Sequence, residues 1–269
     1  MFDHRVAIVT GASAGIGLSV SRKLTALGCR VALVARTRSK LDAAVAALGA
    51  DRALAFPLDV GDLPALERLP GRVLERFGRL DYVVNNAGLH HRGPFTERTA
   101  AELAQMVLVN LTAPIVLTRA AVPLLEEGAT IVNVASLAGL VPVRDAATYS
   151  STKAGLRAFG FAAAEELAPR GIRVCTVSPG PVDTDFFGAE LPRVTPITFS
   201  QPMSSPDEVA DAVLHCLRTG AREVALPWLS ARLATLGYLS PRLLRLLRPV
   251  MERTGARKKA AFAARKGLR

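Results

Sequence analysis

The chain has 269 residues, of which 50% are hydrophobic, 21% charged and 5% aromatic. That composition excludes a disordered or collagen-like protein and is ample for one large core without metals or disulfides. The formal charge is +11, but residues 221–269 hold 12 Lys+Arg against 2 Asp+Glu while residues 1–220 hold 22 against 21, which argues against a basic groove spread over the whole fold.

Short β-branched runs predict strands at 5–10, 30–35, 53–57, 80–84, 130–135, 172–178 and 223–226. Several are apolar almost throughout, as strands covered on both faces of a parallel sheet are. Helices are predicted between them, near 15–27, 38–48, 62–77, 99–126, 147–168 and 206–219. Gly28, Gly49, Gly78, Gly128, Gly171 and Gly220 stand at or just beyond their ends, where a C-terminal glycine is expected. Strict β-α alternation predicts one α/β domain, a doubly wound seven-stranded parallel sheet flanked by helices, over residues 1–226. A basic helical extension would follow over 227–269. The stretch 185–205, with Pro192, Pro196 and Pro202, reads as an irregular lid or binding loop.

Between the first strand and the first helix lies Thr10-Gly11-Ala12-Ser13-Ala14-Gly15-Ile16-Gly17. Glycines at this spacing let the backbone approach a pyrophosphate, and the helix offers its N-terminal amides to the anion. A tight strand-to-helix turn would use the same glycines, but the position after the first strand favours a dinucleotide site. The second strand ends at Arg36, with Arg38 close by. An acid there would bond a ribose 2′-hydroxyl, whereas arginine suits a 2′-phosphate, so NADP(H) is expected over NAD(H). Asp59-Val60 after the third strand and Asn86-Ala87-Gly88 after the fourth fall at the carboxyl edge of the sheet, where ligands bind.

Tyr149 and Lys153 lie one helical turn apart on a shared face. A lysine cation near the phenol would favour phenolate and make tyrosine a usable acid/base at neutral pH. Ser136, at the end of the fifth strand, offers a hydroxyl for a carbonyl or alkoxide oxygen.

Taken together, these pieces resemble the short-chain dehydrogenase/reductase family in its single-domain Rossmann form. The resemblance covers about residues 5–226. It is carried by T-G-x-x-x-G-x-G at 10–17, N-N-A-G at 85–88, Ser136, Y-x-x-x-K at 149–153, and Pro179-Gly180 with Thr184. It implies a catalytic tetrad of Asn110, Ser136, Tyr149 and Lys153, with Tyr149 moving the proton, Ser136 polarising the oxygen, Lys153 on the nicotinamide ribose and Asn110 holding a relay water. It also implies cofactor contacts from Gly11, Ser13, Gly15, Ile16, Gly17, Pro179, Gly180, Val182 and Thr184. Many NADP-preferring relatives carry a basic residue where this chain has Ala14, so the 2′-phosphate would rely on Arg36 and Arg38. The loops implied to wall the substrate supply Leu89-His90-His91-Arg92 and the apolar Leu137, Leu140, Val141, Phe186 and Phe187, with His90 able to touch substrate, which points to a small apolar ketone or alcohol. His90 and His91 read as loop histidines rather than metal ligands. A non-catalytic NADP(H)-binding sensor with the same fold is the alternative. Relatives lead to an expected homodimer or homotetramer, and no nucleic-acid motif accompanies the charge.

Cys29, Cys175 and Cys216 give no disulfide framework, and no basic leader with a long apolar run precedes Arg5, so a cytoplasmic protein is expected. In the extension, Ser240-Pro241 predicts a helix start. Arg242, Arg245 and Arg248 then share one arc, and Leu243, Leu244, Leu246 and Leu247 the other. The leucines would pack on the body or a second subunit, or the helix would lie peripherally on an anionic membrane. The last residues, from Arg257, lack a strong apolar face and are expected to be loosely ordered.

Overall fold

The computed structural model describes residues 2–266. Seven strands form one parallel sheet: β1 (Val6–Thr10), β2 (Arg30–Ala35), β3 (Ala53–Pro57), β4 (Tyr82–Asn85), β5 (Thr130–Val134), β6 (Arg173–Pro179) and β7 (Glu223–Leu226), in the spatial order β3-β2-β1-β4-β5-β6-β7. The order reverses beside β1, which opens a crevice at the carboxyl ends of β1 and β4. The period-2 pleat divides the apolar residues of each strand between two layers. Ala7 and Val9 pack with helices α1 (Gly15–Ala26), α2 (Arg38–Leu48) and α7 (Pro206–Thr219). Val6 and Ile8 pack on the other face with α3 (Leu63–Phe77), α5 (Ala113–Ala121) and α6 (Ala147–Leu167).

The helix predicted over 99–126 is interrupted. It runs as α4 (Ala100–Val107), a π-helical turn over Leu108–Thr112, then α5 and a 3-10 turn over Val122–Leu124. Thr99 and Glu102 cap its start reciprocally. Pro114 has no N–H to give the Asn110 carbonyl, so the regular ladder cannot pass this point, and the Ala113 N–H bonds back to Leu108 O instead. Ala100–Leu124 is long and apolar enough to cross a membrane. Here Val109, Ala113, Leu117 and Ala121 spend that apolarity on the sheet.

Beyond β7 the chain forms α8 (Trp228–Leu239) and α9 (Pro241–Arg265). The expected loose end is instead helical to Arg265, and residues 267–269 lie outside the described ones. The ordering has a clear cause. Gly255, Lys259 and Phe262 recur at helical spacing along one face of α9, and that face docks on the segment that follows β6. Phe262 packs with Phe187, Leu191, Val194 and Phe199 in a separate small core. A Cβ on Gly255 would lie 1.9 Å from Pro196 O, so only glycine permits this approach. Lys259 Nζ donates to Pro192 O (2.8 Å) and Val194 O (2.7 Å), and Arg265 Nη2 bonds Asp183 (2.6 Å).

Candidate active site

The turn after β1 is shaped by its glycines. Gly11 (φ +67°) and Gly15 (φ +53°) adopt left-handed backbone that other residues rarely take. A Cβ on Gly17 would sit 2.3 Å from Gly11 O and 2.6 Å from Asn86 Nδ2. Ala14 precedes α1 and no side chain caps the helix, so its first amides and dipole face the crevice. Ser13 and Ile16 flank this turn, and a Cβ on Gly15 would meet Thr184 at 3.2 Å. The glycine turn and the loop after β6 thus stand opposite each other. That cradle, with its open donors, fits a dinucleotide phosphate.

Thr10 and Asn86 lock the turn to the β4 loop. Thr10 Oγ1 accepts from Asn86 N and Ala87 N, both at 3.0 Å, and Asn86 Nδ2 donates to Thr10 O at 2.8 Å. Gly88 follows, with room for a Cβ only 3.3 Å from Asn110 Oδ1 and 3.6 Å from Lys153 Nζ. At the other end, Arg36 is exposed just past β2 and makes no side-chain hydrogen bond or ion pair among the described residues. Arg38 is engaged by Asp42 at 2.9 and 3.0 Å, which the sequence reading did not anticipate. Asp59 is exposed and accepts from Gly61 N (2.9 Å), while Val60 is buried beneath it. Gly180 N donates to Leu226 O (2.7 Å), and Val182 bridges to Ser204, closing the base of the lid.

At the reacting end, Ser136 follows β5 in extended backbone and its Oγ accepts from Ala138 N at 3.1 Å. A Cβ on Gly139 would be 2.7 Å from the Lys153 backbone, so this turn lies directly on α6. Tyr149 and Lys153 share the facing side of α6. Lys153 is buried and donates to Val134 O at 2.9 Å. Burial lowers its ammonium to about 8. Burial also raises the Tyr149 phenol, against which the Ser136 hydroxyl and then the Arg92 charge act. The expected acidification by Lys153 is therefore not the leading effect; its Nζ stands 5.9 Å from the Tyr149 ring centre and is turned toward Val134.

Asn110 reaches the same neighbourhood with its amide already committed. Its Oδ1 accepts from Leu89 N (2.8 Å), and its Nδ2 donates to Leu89 O (2.8 Å) and Thr152 Oγ1 (3.3 Å). The side chain pins the β4 loop rather than reaching toward reacting groups.

His90 lies flat on Tyr149, ring centres 4.2 Å apart and planes 8° from parallel. Arg92, expected only as part of the substrate-side loop, is 6% exposed. Its Nη1 donates to His90 Nδ1 at 3.1 Å. A guanidinium only donates, so Nδ1 is the acceptor and the ring proton sits on Nε2. Burial, then the Arg92 charge, push the imidazole down to about 3, so it is neutral near pH 7. Arg92 lies 5.3 Å from the Phe186 ring centre and 5.0 Å from that of Phe187. Phe186 is exposed and 6.4 Å from the Tyr149 ring. Phe187, expected on the substrate wall, turns into the lid core beside Phe199 and Phe262. Leu137 is buried against Gly180. His91 bonds Gln105 instead of joining His90.

A family model described as short chain dehydrogenase matches residues 5–193. An uncharacterized oxidoreductase of Staphylococcus aureus (strain USA300) is 31% identical over 219 residues, 81% of this chain and 92% of the relative. Another from Methylorubrum extorquens is 35% identical, over 82% and 94% of the two chains. Among solved structures, a short-chain dehydrogenase from Burkholderia cenocepacia in complex with NADP superposes with a TM-score of 0.76 at 33% identity, covering 83% of this chain and 96% of that one. One from Streptomyces avermitilis gives 0.78 at 33% identity, covering 91% and 96%. The chain belongs to the short-chain dehydrogenase family of oxidoreductases.

Proposed function

We propose that this chain is an NADP(H)-dependent oxidoreductase that interconverts an apolar ketone and a secondary alcohol. The observation that carries the reading is the convergence of Ser136, Tyr149 and buried Lys153 at the carboxyl edge of the sheet, on the same crevice as the uncapped glycine turn. Two solved relatives hold NADP, the Burkholderia cenocepacia enzyme and a metagenomic oxidoreductase. In this chain Arg36, open at the end of β2, is the group suited to a 2′-phosphate.

A bound nicotinamide would supply the hydride. The chain's own part is orientation and proton movement. The glycine turn and α1 amides would hold the pyrophosphate, and Val182 and Thr184 would border the nicotinamide end. Ser136 Oγ and the Tyr149 phenol donate to the carbonyl oxygen, and Tyr149 passes its proton as the alkoxide forms. A phenol kept protonated by burial is a ready donor for reduction. Lys153, largely charged at neutral pH, lies behind it as the next proton carrier. Asn110 would hold a relay water through its backbone carbonyl, which Pro114 has no N–H to bond, while its side chain positions the loop. Phe186, exposed beside Tyr149, gives the substrate apolar surface, with His90 on the phenol at its polar edge and Arg92 holding His90 by a hydrogen bond.

The test is NADPH consumption across steroids, β-ketoacyl thioesters, quinones and simple aromatic ketones. Turnover of at least one class supports the reading. Tight NADPH binding with no turnover of any would favour the non-catalytic alternative.

A further inference from the structure

Helix α8 is built inside out. Its buried residues are small: Ala231 and Gly237, with Ser230 and Ala234 half-buried. Its large apolar residues face outward, including Trp228 at 70% and Leu239 at 73% exposure, with Leu229, Leu233, Leu236 and Tyr238 between them. The start of α9 continues the pattern, with Leu246 75% exposed and Leu247 and Val250 also outside. The side chains of Pro241, Leu243 and Leu244 lie outside the described ones. Nine large apolar side chains exposed within 23 residues (Trp228 to Val250) mark an interaction site rather than ordinary exposure.

The surface is also strongly basic. Residues 224–251 contain no Asp or Glu. Arg232, Arg242 and Arg245 are exposed among the apolar residues, and among the described residues only Arg248 of these four is paired, with Glu252 at 2.8 Å. The segment is held at both ends. Before it, β7 is hydrogen-bonded to β6; after it, the far half of α9 is docked on the lid through Gly255 and Phe262. It is a fixed platform.

We propose that the outer face of residues 228–250 docks this protein peripherally on a bilayer bearing anionic headgroups. The apolar side chains would enter the headgroup–acyl boundary, with Trp228 and Tyr238 at the depth such rings favour, and the arginines would meet lipid phosphates. A second copy is the less suited occupant, because a two-fold interface would set this acid-free, arginine-bearing face against itself. The inference is independent of the proposed activity.

Trp228 is the chain's single tryptophan, so its fluorescence reports on this face alone. The full chain is titrated with vesicles of phosphatidylcholine containing about a third phosphatidylglycerol, and with pure phosphatidylcholine vesicles. A blue shift and co-sedimentation with the anionic vesicles are expected, both weakened in about 0.5 M salt, where charge attraction is screened. Arg242→Glu/Arg245→Glu should lower the vesicle partition constant by about tenfold or more while leaving the melting temperature and NADPH affinity unchanged. Absence of a shift with anionic vesicles would overturn the proposal. So would a shift that follows protein concentration without lipid and tracks dimer formation in sedimentation, since this face would then be a subunit interface.

Discussion

Replacing Arg36 by Ala tests the basis of the cofactor assignment. Arg36 is exposed and uncommitted at the end of β2, so its removal disturbs no packing and should leave the melting temperature unchanged. A charge-assisted hydrogen bond contributes about 1.5–3 kcal/mol, and solvent exposure places this one near the lower end. A loss of about 1.5–2 kcal/mol is about a 10–30-fold weaker NADPH complex. NADH has no 2′-phosphate, so its affinity should move by less than about twofold on the same principle. Arg38 softens the effect. Its pair with Asp42 is an exposed i,i+4 contact, and surrendering it costs only about 0.3–0.5 kcal/mol, so Arg38 can partly replace Arg36. The double change Arg36→Ala/Arg38→Ala should therefore lose more than the single one. Isothermal titration of both cofactors measures the ratio. An NADPH-to-NADH preference that survives the double change would refute the reasoning.

Two further outcomes follow from the site and the lid. Lys153 is lowered to about 8 by burial, so reductive kcat/KM should fall as pH rises through about 8, where the ammonium loses its proton. Lys153→Arg keeps its charge and should move that limb upward; a flat wild-type profile across this range would contradict the assigned role. Phe262→Ala removes the ring that ties α9 to Phe187 and Phe199. Core Phe→Ala changes cost about 3–5 kcal/mol, but this small cluster stands apart from the two main cores. The loss should appear as faster proteolysis within residues 186–203 and a raised KM, with a smaller drop in melting temperature. Unchanged proteolysis and KM would show that α9 does not brace the lid.

The sheet was readable in advance because its strands are short apolar runs punctuated by glycine, a local pattern that parallel pairing only amplifies. The glycine turn after β1 was readable because Gly11, Gly15 and Gly17 are required by backbone conformation and close approach that no side chain permits. Arg92 was readable as part of the substrate-side loop, but its desolvation was not. Its burial depends on Phe186 and Phe187, more than ninety positions away, and nothing about a single loop arginine announces that it will be desolvated. Nor was the brace formed by α9. A face containing Gly255, Lys259 and Phe262 looks polar, because the lysine hides its apolar stem and satisfies lid carbonyls with its amine. The π-helical turn left a trace in Pro114, whose missing N–H interrupts the ladder at Asn110. The outward face of α8 was visible as apolar composition, but its direction emerged only once Ala231 and Gly237 were seen to take the inner side.

The central claim is that Tyr149 donates the proton. Tyr149→Phe keeps the ring that His90 covers and removes one oxygen. With a ketone that the wild type reduces, NADPH turnover should fall by about 10²–10⁴-fold, the usual contribution of a positioned acid, while NADPH affinity stays within about twofold because the glycine turn and Arg36 are untouched. Turnover retained within a few-fold of wild type, with cofactor binding intact, would contradict the account.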